Sequence, residues 1–118
     1  MHAQVVGDGG LLTVGGRTYR LWGLVVPTRD TPCMGDWNAG RAALKHLDQL
    51  TSGRIVDCEY RGMGDDGLPF GVCRADGRDI GADLVLAGYA WSNGPQSHDY
   101  VLDEGLAMSR FYSIGRSC

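Results

Sequence analysis

Short apolar runs separated by glycine-rich breaks dominate the first third of the chain. Ala3 to Val6 is one such run, Asp8-Gly9-Gly10 is a turn signal, and Leu11 to Val14 resumes the strand before Gly15-Gly16. Paired glycines accept the positive φ of primed turns, so Gly15-Gly16 predicts a two-residue hairpin between Leu12-Thr13-Val14 and Thr18-Tyr19-Arg20. Three strands of a meander are expected. Beyond Pro27 the polar stretch Arg29 to Asp36 reads as an irregular loop. The period then changes: Ala43, Leu47 and Leu50, flanked by Ala42 and Leu44, recur at three to four residues, which predicts a helix over 39–50 capped by Asn38 and ended by Ser52-Gly53.

The second half repeats the alternation of strand and helix. Arg54 to Arg61 and Phe70 to Arg74 read as two strands around the Gly62 to Gly67 loop, whose tip from Met63 is expected in solvent. Counting outward from that loop puts Cys58 opposite Cys73. A directly opposed, non-hydrogen-bonded antiparallel pair brings Cβ atoms within disulfide reach, so this site is either a bridge or two packed thiols. Cys33 and Cys118 form the leftover pairing. Asp79 or Gly81 opens a short helix that stops at Gly88, and Tyr89-Ala90-Trp91 follows as an extended segment. Ser97 or Asp99 is expected to cap a last helix running to about Phe111, with Tyr100, Ala107 and Phe111 on one face.

Composition narrows this to a single turn-rich β domain. The chain has 118 residues, 43% of them hydrophobic, with nineteen glycines and only four prolines. That length supports one core. No apolar run approaches a membrane span. Eleven basic residues against fourteen acidic ones give a net charge of -3, and ten of the eleven are arginine. Arginine suits bidentate phosphate contacts, but the balance is wrong for a general nucleic-acid binder. The four cysteines lack the CxxC spacing and the histidine pair of a zinc site. Met1-His2-Ala3-Gln4 leads directly into an apolar strand, which implies a cytoplasmic protein or, if a signal peptide has been removed, an exported or periplasmic one.

Arg20 is the one cation inside an otherwise apolar strand, Arg17-Thr-Tyr-Arg-Leu-Trp-Gly-Leu-Val-Val-Pro-Thr28. A guanidinium cannot be deprotonated, so it needs an anion there. Val6-Gly-Asp-Gly-Gly-Leu-Leu-Thr-Val14 followed by Arg20-Leu21-Trp22-Gly23-Leu24 and Pro27 resembles the staphylococcal nuclease (thermonuclease-like) family. The resemblance continues through Gly40-Arg41-Ala42-Ala43-Leu44, Gly53 to Cys58, Cys73 to Ile80, Leu84 to Ala90, and Tyr100 with Glu104 and Ala107. It spans nearly the whole chain and implies a five-stranded Greek-key OB-fold barrel carrying three α-helices.

The same resemblance argues against the family's chemistry. Active members look like Asp-Gly-Asp-Thr in the second strand, where the second aspartate binds calcium, whereas this chain has Asp8-Gly9-Gly10-Leu11. Their arginine is followed by a run such as Ile-Asp-Ala-Pro-Glu, which supplies a calcium ligand and the water-activating glutamate; here the run is Leu24-Val25-Val26-Pro27-Thr28. Their second phosphate-binding arginine falls in a Tyr-Gly-Arg segment, aligned with Asp66-Gly67-Leu68. Only Arg20 remains. Calcium takes about six to eight oxygen ligands, mostly from carboxylates, and phosphodiester hydrolysis needs an oriented water. Thr28 cannot act as a carboxylate base.

The expectation is therefore a catalytically degenerate nuclease-like domain, a pseudoenzyme that serves as a binding or interaction module. It needs no cofactor, and a protein is favoured over nucleic acid as its macromolecular partner. Arg20 is read as an internal ion pair with Asp8 or Glu104, against an anion-binding role at the old pocket. A calcium-dependent nuclease with relocated carboxylates, using Asp8 and the displaced Asp30-Thr31-Pro32, is the alternative. A third reading is an oligonucleotide or polysaccharide binder in the barrel cleft, with Trp22, Trp37 and Trp91 as stacking platforms rather than packing residues. His2, His46 and His98 are scattered and suggest no cluster.

Overall fold

Leu12, Val14, Tyr19 and Leu21 alternate with more exposed neighbours, and this two-residue period fixes which face of the first strands meets the core. A computed structural model describes residues 3–31, 38–93, 96 and 99–109 of the chain. β1 (Ala3–Gly7), β2 (Leu11–Val14) and β3 (Arg17–Leu21) form the expected antiparallel meander, with Val14 opposite Arg17 across the Gly15-Gly16 hairpin. β5 (Val56–Met63) and β6 (Pro69–Ala75) form a second antiparallel hairpin. A parallel seam joins the two, pairing Arg20 with Phe70 and Leu21 with Gly71. With β7 (Arg78–Asp79) on β6, this makes a six-stranded sheet of order β1-β2-β3-β6-β5. β4 (Leu24–Val25) and β8 (Trp91–Ser92) form a separate two-stranded sheet.

The sheet does not close as a barrel among the described residues, since β1 and β5 end the path and do not pair with each other. β5 nevertheless approaches β2, so the sheet curls. The expected five strands are eight among the described residues, because β4, β7 and β8 are two-residue ladders too short to leave a period in the sequence.

Three helices cover the sheet. α1 (Ala39–Thr51) begins where expected: the Asn38 side chain accepts the Arg41 N–H at 2.8 Å. Its buried positions Ala39, Ala43, Leu47 and Thr51 recur every fourth residue. α2 (Ile80–Leu86) is capped by Asp79, which accepts the Ala82 N–H at 3.1 Å. Gly88 and Tyr89 close it by returning their N–H groups to Val85 and Leu84. The segment after it is extended only from Trp91. α3 (Val101–Ser109) starts two residues after Asp99. Ile80, Leu84 and Val85 of α2 complete the core with Leu12, Leu47, Val56, Cys73 and Tyr100. Burying one such leucine stabilises the fold by about 2 kcal/mol.

Cys58 and Cys73 are directly opposed in the β5–β6 register and joined by a disulfide. Closing a loop of this separation, 15 residues, stabilises by about 3 kcal/mol through the unfolded chain. Cys33, Cys118, Trp37, His2, Ser97, His98 and Phe111 lie outside the described residues. β6 covers the expected strand with one more residue at each end, whereas β5 is displaced from its expected bounds. Arg54 still belongs to the turn after α1, with its N–H on Thr51 O, and Ile55 makes an isolated bridge, with its N–H on the Asp76 carboxylate. A bulge between Tyr60 and Met63 then carries β5 further towards the loop.

Candidate functional site

Asp8, Arg20, Thr28 and Arg29 meet at one end of the meander. Arg20 and the core residues Tyr19 and Leu21 point to opposite faces of β3, which leaves its guanidinium half-exposed. The parallel seam sets Phe70 beside Arg20, so the loop before β6 has to pass the same spot. That loop delivers Asp66. Its Oδ2 accepts from Arg20 Nε at 3.1 Å and also from Nη2, forming a two-pronged ion pair. Asp66 Oδ1 accepts the Leu68 N–H at 3.1 Å. That backbone hydrogen bond and the Arg20 contact hold the Asp66 carboxyl below the usual carboxylate range.

Asp8 and Glu104 are therefore not the partners of Arg20. Both oxygens of Asp8 accept the Arg29 N–H, at 3.0 and 3.1 Å, and Arg29 Nε lies 3.6 Å away. Glu104 accepts the Ser92 N–H at 3.2 Å, on the side of the fold where α3 meets β8. The loop tip stands in solvent as expected, with Met63, Asp65, Asp66 and Gly67 exposed, but Asp66 reaches back from it to Arg20 on β3. Sequence reasoning missed Asp66 although a signal existed: it sits in the segment aligned with the family's second arginine.

Gly10, which the nuclease resemblance sets where a metal-binding aspartate would be expected, has φ +83°. A Cβ built there would lie 2.8 Å from Val26 Cγ2, so apolar packing leaves no room for a larger side chain at this position. Thr28 is fixed by its own loop, with its N–H donated to Thr31 Oγ1 at 2.9 Å. Behind it α1 packs so closely that a Cβ on Gly40 would fall 2.0 Å from the Thr28 carbonyl. Asn38 ties the same loop down by donating to the Arg29 carbonyl at 3.0 Å. Asp30 is exposed.

The donor set does not fit calcium. Asp8 is turned onto a backbone N–H, Asp66 onto an arginine, and the positions where ligands are expected, just before β2 and in β4, hold Gly10 and Val25. Among the described residues, no three His, Cys, Asp or Glu side chains are grouped so as to hold a metal ion. Trp22 sets its edge against Phe70, with ring centroids 5.6 Å apart, and is half-buried. Trp91 is half-buried in β8 opposite Val25.

No known family model matches this chain, and no curated protein matches it. The site must therefore be read from its own geometry.

Two other polar places stand apart from this end. The Tyr100 hydroxyl donates to both carboxylate oxygens of Asp79, at 3.1 and 3.0 Å. Burial, and then the charge of Asp79, push the Tyr100 hydroxyl pKa well up. Nearby, burial followed by the charges of Asp79 and Asp83 raises the Asp103 carboxyl. A groove of about 380 Å³ runs between α1 and α2, with Leu50 and Ile80 along it and His46, Arg54 and Asp83 among its polar lining. His46 leans on the Tyr89 ring, with centroids 4.7 Å apart, and burial lowers its pKa against the opposing charge of Asp83.

Proposed function

We propose that this chain is a nuclease-like OB domain without catalysis that works as a binding module for another macromolecule, with a protein favoured. One observation carries the reading: Arg20, the single retained position of the family's active site, spends its charge on Asp66 of its own chain. The Nε edge of this arginine is taken by Asp66 Oδ2 and the other Asp66 oxygen by the Leu68 N–H, so the charges of the pair are matched within the chain. The strand order β1-β2-β3-β6-β5, antiparallel except for the β3–β6 seam, is compatible with a five-stranded Greek-key barrel opened between its first and last strands. Exposed Ile55, Tyr60, Met63, Leu102 and Leu106 offer apolar surface to a partner, and the net charge of -3 opposes long nucleic acid.

The test is direct. Purified protein is incubated with single-stranded DNA and with RNA, in calcium and in chelator, and the products are resolved by size. The expected result is no calcium-dependent cleavage. Cleavage that needs calcium and disappears in Asp30→Ala would establish the relocated-carboxylate nuclease instead. Tight, salt-dependent binding of an uncleaved oligonucleotide would move the partner class from protein to nucleic acid.

A further inference from the structure

β5 ends the sheet. It pairs with β6 on one side, and among the described residues no strand pairs with its other side. An open edge of eight residues is a template for another strand, and proteins usually blunt such an edge with proline, lysine or like charges. β5, Val56-Asp-Cys-Glu-Tyr-Arg-Gly-Met63, contains neither proline nor lysine; its edge is guarded by the charges of Asp57, Glu59 and Arg61 and by the bulge after Tyr60, and these charges are of both signs. Ile55, Tyr60 and Met63 are each more than half exposed. The Tyr60 ring is held from one side by Arg17, whose guanidinium carbon lies 5.9 Å from its centroid.

We propose that β5 is a self-pairing edge: a second copy of this chain adds its own β5 antiparallel to the first, with Tyr60 opposite Tyr60 and Glu59 opposite Arg61 on both sides of the two-fold axis. The charges select this register. In a two-fold antiparallel pair, residues directly opposite share a face, and like charges there are destabilising. Centring on Cys58 would set Asp57 against Glu59 twice, and centring on Glu59 would set that carboxylate against itself. Centring on Tyr60 turns both charged positions into attractions and stacks two exposed aromatic rings. Among the described residues of the single chain Glu59 has loose, exposed pairings, 3.5 Å to Arg61 and 3.8 Å to Arg74. The bulge between Tyr60 and Met63 limits the regular ladder, so the contact is short and the dimer weak, with Kd on the order of 100 μM. This inference does not depend on the nuclease resemblance.

Analytical ultracentrifugation of the oxidised chain, from about 10 μM to about 1 mM, reads the result. Wild type is expected to move from monomer to dimer across that range. Glu59→Arg and Arg61→Glu should each weaken the dimer about tenfold, since each replaces two attractions by two repulsions. The double variant Glu59→Arg/Arg61→Glu should recover most of the loss. Arg74 faces position 59 in both Glu59→Arg and the double variant, so their difference isolates the cross-strand pair. Circular dichroism checks that each variant is folded. A wild type monomeric up to about 1 mM overturns the proposal, as does a double variant no better than the singles. A chain that stays monomeric yet binds an extended peptide also overturns self-pairing and gives the edge to a foreign strand.

Discussion

Two polar clusters solve the problem of placing charge on this fold in opposite ways. At the Arg20 end, Asp66 and Asp8 are each matched by an arginine or a backbone N–H, on side chains open to water. At the α2–α3 corner, Asp79 does two jobs at once, capping α2 and receiving the hydroxyl of Tyr100, which is only 3% exposed. Solvent screens the first arrangement, so its pairs contribute little to stability. The second sits where an unmet hydrogen bond costs more than a formed one returns. The end that resembles a catalytic site is therefore the cheap one to alter, and the corner that resembles nothing catalytic holds the helices together.

Substitutions should separate the two regions by size of effect. Asp79→Ala removes a helix cap and strands the Tyr100 hydroxyl, and urea unfolding should show a loss of about 3 kcal/mol. Tyr100→Phe, which leaves Asp79 able to cap, should cost about 1.5 kcal/mol in the same assay. A smaller effect of opposite sign is expected from Asp103→Asn. Its carboxyl pKa is raised on folding, so the ionised form opposes the fold, and stability is lost as pH rises from the unfolded to the folded value. The asparagine variant should melt slightly higher than wild type at pH 7, with the gain vanishing below the ordinary aspartate range.

Asp66→Asn should leave the unfolding midpoint nearly unchanged at pH 7. Because the Asp66 pKa is depressed, what the pair does contribute is present above the ordinary carboxylate range and lost as pH falls through the folded value. This variant also releases Arg20. Inorganic phosphate should perturb the NMR signals of the Arg20 side chain in Asp66→Asn and not in wild type. A midpoint shift as large as that of Asp79→Ala would erase the contrast between the two clusters.

What the sequence made legible was local. The Gly15-Gly16 hairpin, the Asn38 cap and the Cys58–Cys73 opposition each follow from residues close together in the chain, where turn geometry fixes the register. The partner of Arg20 was not legible. Asp66 lies 46 residues away and arrives through a parallel seam, which hairpin counting cannot reach. The pairing of the short strands β4 and β8 was not legible because two residues carry no period, and it sets Val25 opposite Trp91 across the chain. The departures from the nuclease pattern at Gly10, Val25 and Thr28 were plain from the residues. Geometry added that Val26 leaves no room for a larger side chain at Gly10 and that Asp8 is turned to Arg29.

The seam between β3 and β6 also bears on how the chain reaches this shape. The meander and the β5–β6 hairpin are each built from near neighbours, yet they meet through only two residue pairs, Arg20 with Phe70 and Leu21 with Gly71. Both hairpins close short loops and can form within microseconds, whereas the seam has to close a long one. Cys58 and Cys73 belong to a single hairpin, so their oxidation does not have to wait for that slower encounter. Once formed, the bridge acts as a clasp: an oxidised chain that unfolds keeps β5 and β6 tied at one point, which shortens the search when it refolds.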